Sequence, residues 1–184
     1  MSNRTQLIVI LSCVVGALGF VGYQVFRAGS VRTYAPDATF EERARLKEYT
    51  SSGVRVVVFM ESDSKGQPLI RATFTPTAQG FHVYSKDLDP KATGGLGMAT
   101  RLELLPHPSV RATGQLFADR AVERHHGLDI YPDGPVSLRL PIQIVGASTN
   151  LAAQVAVSYM ACKTDGVCLR PVERQILDIQ IASR

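Results

Sequence analysis

The stretch Val136-Ser137-Leu138-Arg139-Leu140-Pro141-Ile142-Gln143-Ile144 alternates along its whole length. Val136, Leu138, Leu140, Ile142 and Ile144 fall on one side, with Ser137, Arg139, Pro141 and Gln143 on the other. Successive side chains of a β-strand point to opposite faces, so this period of two predicts a strand with one face turned to a core. Pro141 lacks the N–H that a ladder needs, which predicts an edge position or a bulge.

The same period recurs on both sides of this stretch. Downstream, Val155, Val157, Tyr159 and Ala161 share a face, and Leu177, Ile179 and Ile181 close the series. Upstream, Val54, Val56, Val58 and Met60 form one face, followed by the turn Glu61-Ser62-Asp63-Ser64-Lys65-Gly66-Gln67-Pro68. Ile70, Ala72 and Phe74 then oppose Arg71 and Thr73, while Phe81 and Val83 alternate with His82 and Tyr84. With shorter candidates at 101–105 and 110–117 there are about eight strands separated by turn signals, the pattern of an all-β antiparallel sandwich. There is no internal repeat, and the strands predict one domain over residues 51–184.

The remaining residues lie before that domain. Leu7 to Val25 is an almost unbroken apolar run between Arg4 and Arg27. It is long for the core of a signal peptide and just long enough to span a bilayer. Residues 1–29 therefore read as an uncleaved signal anchor, with a cleaved signal peptide as the alternative. Both export the rest of the chain. Residues 30–50 read as a linker with a short helix at about 39–49, where Thr39-Phe40-Glu41-Glu42 has the form of a capping box.

Composition narrows the function classes. The 184 residues leave room for one domain of about 150 beyond the apolar run. An apolar fraction of 45% excludes general disorder. The net charge of +4 includes Arg4 and Arg27, and the other basic residues are scattered without aromatic interleaving. No nucleic-acid surface is expected.

Of three cysteines, Cys13 lies within the apolar run, so the exported part carries only Cys162 and Cys168. In an oxidising compartment an even number can pair. The five residues between them, Lys163-Thr164-Asp165-Gly166-Val167, form the turn of a hairpin between two alternating stretches. Alternation puts Cys162 on the face of Ser158 and Met160, opposite Val155, Val157 and Tyr159. Lys163 and Arg170 are cations of the kind that favour thiolate, partly offset by Asp165. Two readings stand. A bridge closing so short a loop removes little unfolded-state entropy, near the lower end of the usual ~2–4 kcal/mol, so it would be a weak staple. The same bridge within reach of a partner would be a redox centre.

The stretch Val157-Ser158-Tyr159-Met160-Ala161-Cys162, a five-residue gap, then Cys168-Leu169-Arg170-Pro171, resembles the active hairpin of the N-terminal periplasmic domain of DsbD, the membrane thiol–disulfide transporter family. Gly80-Phe81-His82-Val83-Tyr84-Ser85-Lys86 is similar to that family's Gly-aromatic-x-x-Tyr-x-Lys strand. Asp129-Ile130-Tyr131 leading into Leu138-Arg139-Leu140-Pro141-Ile142 is a third match, and the three follow the family's order across roughly 54–182. The resemblance implies an immunoglobulin-like sandwich in the periplasm or at the outer face of the cytoplasmic membrane. It implies thiol–disulfide exchange with thioredoxin-like partners through Cys162 and Cys168, with no cofactor. It further implies that Cys168 forms the interprotein disulfide and Cys162 resolves it, and that a cap loop shields the pair. Residues 122–128 (Val122-Glu123-Arg124-His125-His126-Gly127-Leu128) occupy the cap position, without the family's aromatic. A separate membrane electron transporter would supply the electrons, and residues 7–25 would hold the chain at the membrane.

The other reading is a non-catalytic immunoglobulin-like binding or assembly module with a structural Cys162–Cys168 bridge. A soft-metal site from His125, His126, Cys162, Cys168 and Met160 is disfavoured. Adjacent histidines point opposite ways on a strand, and the cysteine spacing is not a usual zinc pattern. No metal site is expected; two histidines in a solvated loop is the simpler reading, and as part of the cap they would tune thiol ionisation. The Gly-rich stretch Lys91–Gly97 lacks a Gly-Lys-Ser/Thr element, and no hydrolase pattern stands out.

Overall fold

Every strand with clean alternation turns its apolar set inward. The structure is a computed structural model that describes residues 45–95, 97–146 and 150–182. Thirteen strands run in chain order among these residues: β1 (Arg45–Ser51), β2 (Val54–Ser62), β3 (Pro68–Pro76), β4 (Phe81–Val83), β5 (Arg101–Leu104), β6 (Val110–Ala112), β7 (Phe117–Ala118), β8 (Glu123–His125), β9 (Leu128–Ile130), β10 (Val136–Ile144), β11 (Asn150–Tyr159), β12 (Ala161–Lys163) and β13 (Val172–Ala182). One sheet runs β1-β2-β3-β10-β6, with β7 also on β10; a second runs β13-β11-β5. All pairings are antiparallel. Between the sheets, Val56, Val58, Ile70, Phe74, Leu138 and Ile142 meet Val155, Val157, Tyr159, Leu177 and Ile179 in one dry core.

Tyr159 shows how that core is locked. Its ring lies edge-on to Phe74 with centroids 5.7 Å apart, and its hydroxyl donates to the Ser51 carbonyl at 3.0 Å. Burial pushes this phenol well above its usual pKa, so it remains a donor. β2 is buried on its outer face too, where the Arg71 guanidinium lies 4.2 Å from the Phe59 ring centroid. Glu61 accepts from both Arg71 and Arg139, at 2.9 and 2.7 Å.

Three expectations need correction. Residues 45–49 of the expected 39–49 helix form β1, so the sheets begin before residue 51. The segment is locally helix-compatible, but Leu46 and Tyr49 pack on the core while the backbone pairs with β2, and tertiary packing outweighs propensity. Residues 39–44, and the expected anchor at 7–25, lie outside the described residues. No helix among the described residues is long and apolar enough to cross a membrane.

Pro141 lies in an interior strand rather than at an edge. It closes the β3 ladder opposite Leu69, while on its other flank β6 ends at Ala112 and β7 begins only at Phe117. The chain between those strands loops out there, so no ladder hydrogen bond is lost. The third correction is the strand count. The stretch 110–117 divides into β6 and β7, and β8, β9 and β12 are too short to show a period.

Candidate functional site: the cysteine hairpin and its cap

Cys162 and Cys168 sit opposite each other across a tight turn. Lys163 N donates to the Val167 carbonyl at 2.8 Å, and Gly166 N to that of Lys163 at 3.0 Å. Gly166 has φ 93°, which completes a type I turn followed by a left-handed residue, a standard three-residue hairpin loop. The ladder bonds flank the cysteines: Leu169 N donates to Ala161 O at 2.9 Å on one side, and Lys163 bonds Val167 on the other. The pair therefore occupies a non-hydrogen-bonded position, where opposed residues approach most closely. Their Cα atoms are 4.0 Å apart and the sulfurs are bonded.

The hairpin is braced from below. Leu169 packs on the β1–β2 turn, where Gly53 has φ 67° and a Cβ would collide with the Leu169 side chain. Thr77 N donates to Gly53 O at 2.8 Å and fixes that turn.

The two sulfurs have unlike surroundings. Cys162 is 2% exposed, within a small apolar cluster of Tyr84, Leu88, Ala99, Ile130 and Met160. The face that alternation assigned it is thus a second, lesser core. Cys168 is exposed. The Tyr84 hydroxyl lies 3.5 Å from Cys162 Sγ and, as the bridged sulfur carries no hydrogen, it is the donor. Burial raises the Tyr84 pKa, which keeps that proton in place.

The segments singled out in the sequence converge here. β12 pairs with β4, with Ala161 opposite Val83, Cys162 opposite His82 and Lys163 opposite Phe81. β9 lies along the other edge of β4: Tyr84 bridges to Ile130, Ser85 N donates to Asp129 O at 2.9 Å, and Tyr131 N to Val83 O at 3.0 Å. β8 pairs with β9 to make the cap segment a hairpin rather than an irregular loop. Its two-residue turn is His126-Gly127, with φ 49° and 82°, the geometry in which glycine is preferred. Arg124 bonds Asp129 at 2.9 Å across it.

Between this cap and the cysteines lies a cavity of about 200 Å³, lined by both cysteines, His82, Tyr84, His125, His126, Leu128 and Ile130 among others. His82 is a functional candidate that alternation alone did not single out. It is 4% exposed, and its Nδ1 has no hydrogen-bond partner. The Asp133 carboxylate is 3.8 Å away, too far for a hydrogen bond but close enough to interact electrostatically. Burial lowers the His82 pKa, Asp133 partly opposes this, and His125 adds to the lowering. Lys163 also lines the cavity, its ammonium 5.3 Å from the Phe81 ring centroid. Among the described residues, no three His, Cys, Asp or Glu side chains are placed to hold a metal ion. A larger depression of about 340 Å³ beside Pro106, His107 and Asp178 has no cysteine and shares no lining residue with this site.

No protein-family model matches the chain, and no curated protein does. Among solved structures, the N-terminal periplasmic domain of ScsB from Proteus mirabilis is similar, with a TM-score of 0.44 and 15% identity over 76% of this chain. This chain covers 51% of that one, about half its length. The N-terminal domain of Neisseria meningitidis DsbD in the reduced form is also similar, with a TM-score of 0.34 and 15% identity. That match covers 77% of this chain and 87% of that one. The second is named for the family that the cysteine hairpin resembles. Both likenesses are remote, and the chemistry of the site rests on this chain's own residues.

Proposed function

We propose that this chain is an exported thiol–disulfide oxidoreductase with an immunoglobulin-like fold, passing electrons between thioredoxin-like partners through Cys162 and Cys168. The observation that carries the reading is the asymmetry of the bridge: Cys168 faces solvent while Cys162 is enclosed. Exchange needs one sulfur open to attack and a second held beside it to resolve the mixed disulfide. A partner thiolate attacks Cys168 Sγ, the Cys162–Cys168 bond breaks, and Cys162 leaves with the electron pair as a thiolate. Tyr84 is placed to donate its hydroxyl hydrogen to that sulfur. A second partner thiolate then attacks the partner sulfur of the mixed disulfide and releases Cys168, so the partner is oxidised and the pair is reduced by two electrons. Run in reverse, the Cys168 thiolate attacks a partner disulfide and Cys162 resolves.

The periplasm or the outer face of the cytoplasmic membrane is the matching compartment. Residues 7–25 are the proposed anchor, residues 51–184 the bulk of the exchange domain, and a separate membrane transporter the proposed electron source. Trapping tests the roles of the two cysteines. Cys162→Ser should accumulate mixed disulfides with thioredoxin-like proteins through Cys168, while Cys168→Ser should trap few. Equal trapping by both variants would refute the assignment. A pair that traps nothing and resists strong reductant would instead be the structural bridge of a binding module.

A further inference from the structure

His82 has a conspicuous position for a residue with no role in the exchange steps above. It is the direct cross-strand neighbour of Cys162 on β4, two residues before Tyr84. Side chains so opposed have Cβ atoms about 4.5–5.5 Å apart. Its ring is buried, lines the cavity against the cysteines, and leaves Nδ1 without a hydrogen bond. A buried polar atom with no partner is costly unless some other state of the molecule uses it.

The state that would use it is the reduced one. When Cys162 leaves as a thiolate, a full negative charge appears in an apolar cluster, where an unpaired charge is strongly disfavoured. We infer that His82 is the positioning residue that couples reduction of the pair to proton uptake, forming an imidazolium beside the buried Cys162 thiolate. The inference rests on the exchange reading and adds to it where the proton goes. In the oxidised protein His82 is neutral at pH 7, because burial holds its pKa below the ordinary value. Reduction takes two electrons and two protons from a partner dithiol. One proton is held by His82, and the other is bound at Cys168 or released to solvent.

The groups around the ring set the balance. From the segment between β9 and β10, Asp133 favours the imidazolium at 3.8 Å. From β8, His125 opposes it. Tyr84, just past the end of β4, is neutral, with ring centroids 6.3 Å apart. His126, Lys163 and Cys168 line the same cavity, and Lys163 is the fixed cation among them. Against this net lowering the thiolate introduces a new negative charge, and an opposite charge within ~4–6 Å moves a pKa by about 1–3.

The test is a histidine titration by NMR on the full-length chain, oxidised and then reduced with dithiothreitol. His82 should titrate at least about one pH unit higher in the reduced protein. Asp133→Asn should lower its midpoint in both states; because that side chain is largely exposed, this variant serves if His82→Gln fails to fold. In reduced His82→Gln, the pH midpoint of Cys162 alkylation, read peptide by peptide to separate it from Cys13 and Cys168, should rise by about one unit, a tenfold loss of thiolate below the midpoint. A His82 midpoint that is the same in both redox states would overturn the inference and leave the exchange reading intact. A pair that dithiothreitol cannot open would overturn both.

Discussion

Cys162 and Cys168 share one bond and two environments, and that difference has consequences residue by residue. An apolar enclosure raises a thiol pKa, while exposure leaves it near its ordinary value, so the reduced pair should ionise unequally unless a cation compensates the buried sulfur. His82, directly across the β12–β4 pair, is a group able to do so, beside the Lys163 ammonium. Its burial also makes a prediction about stability. The unfolded chain binds a proton at this imidazole near pH 6.5, whereas the fold resists it. Stability should therefore be full above about pH 6.5 and fall as the pH drops, until His82 is protonated within the fold. Thermal unfolding at pH 7.5 and 5.5 should show this loss in the oxidised protein, and His82→Gln should flatten it. An equal loss in the variant would place the cause elsewhere. The Cys162–Cys168 bridge was legible in the sequence from the spacing and even number of the cysteines; its role was not. His82 was not: alternation puts it opposite Phe81 and Val83, a face that solvent would cover if the β8–β9 hairpin did not.

Among the elements, the long strands were legible and the short ones were not. β2, β3, β10, β11 and β13 each run nine residues or more, long enough for a period of two to show even where, as in β2, the outer face is also apolar. β7, β8, β9 and β12 have two or three residues, too few for any period to show. The cap consequently read as a loop, and only the turn pair His126-Gly127 hints at the hairpin. β1 was misread because its residues suit a helix, and only the pairing with β2 decides otherwise. Shortening the hairpin, with residues 123–127 replaced by two glycines, should speed alkylation of reduced Cys162 by roughly tenfold, the factor that about 1.4 kcal/mol of opening represents. Cys168, already exposed, should react at nearly its former rate. An unchanged Cys162 rate would show that the hairpin is not a shield.

At the scale of the whole molecule, the two sheets form the rigid base on which the small β12–β4–β9–β8 assembly is built. Tyr159, Leu169 and the Gly53 turn tie the cysteine hairpin to that base, so the site depends on the sandwich rather than on a free loop. A fixed, half-exposed bridge suits exchange better than stabilisation, since a loop this short contributes little as a staple. Redox poise therefore separates an exchanging pair from a structural bridge. Equilibrating the full-length chain against a thioredoxin-like protein of known potential measures it directly. The Cys162–Cys168 potential should lie between about −180 and −270 mV, the span from protein disulfide isomerase to thioredoxin, with equilibrium reached through mixed disulfides. A potential below about −300 mV, where structural disulfides lie, would contradict it.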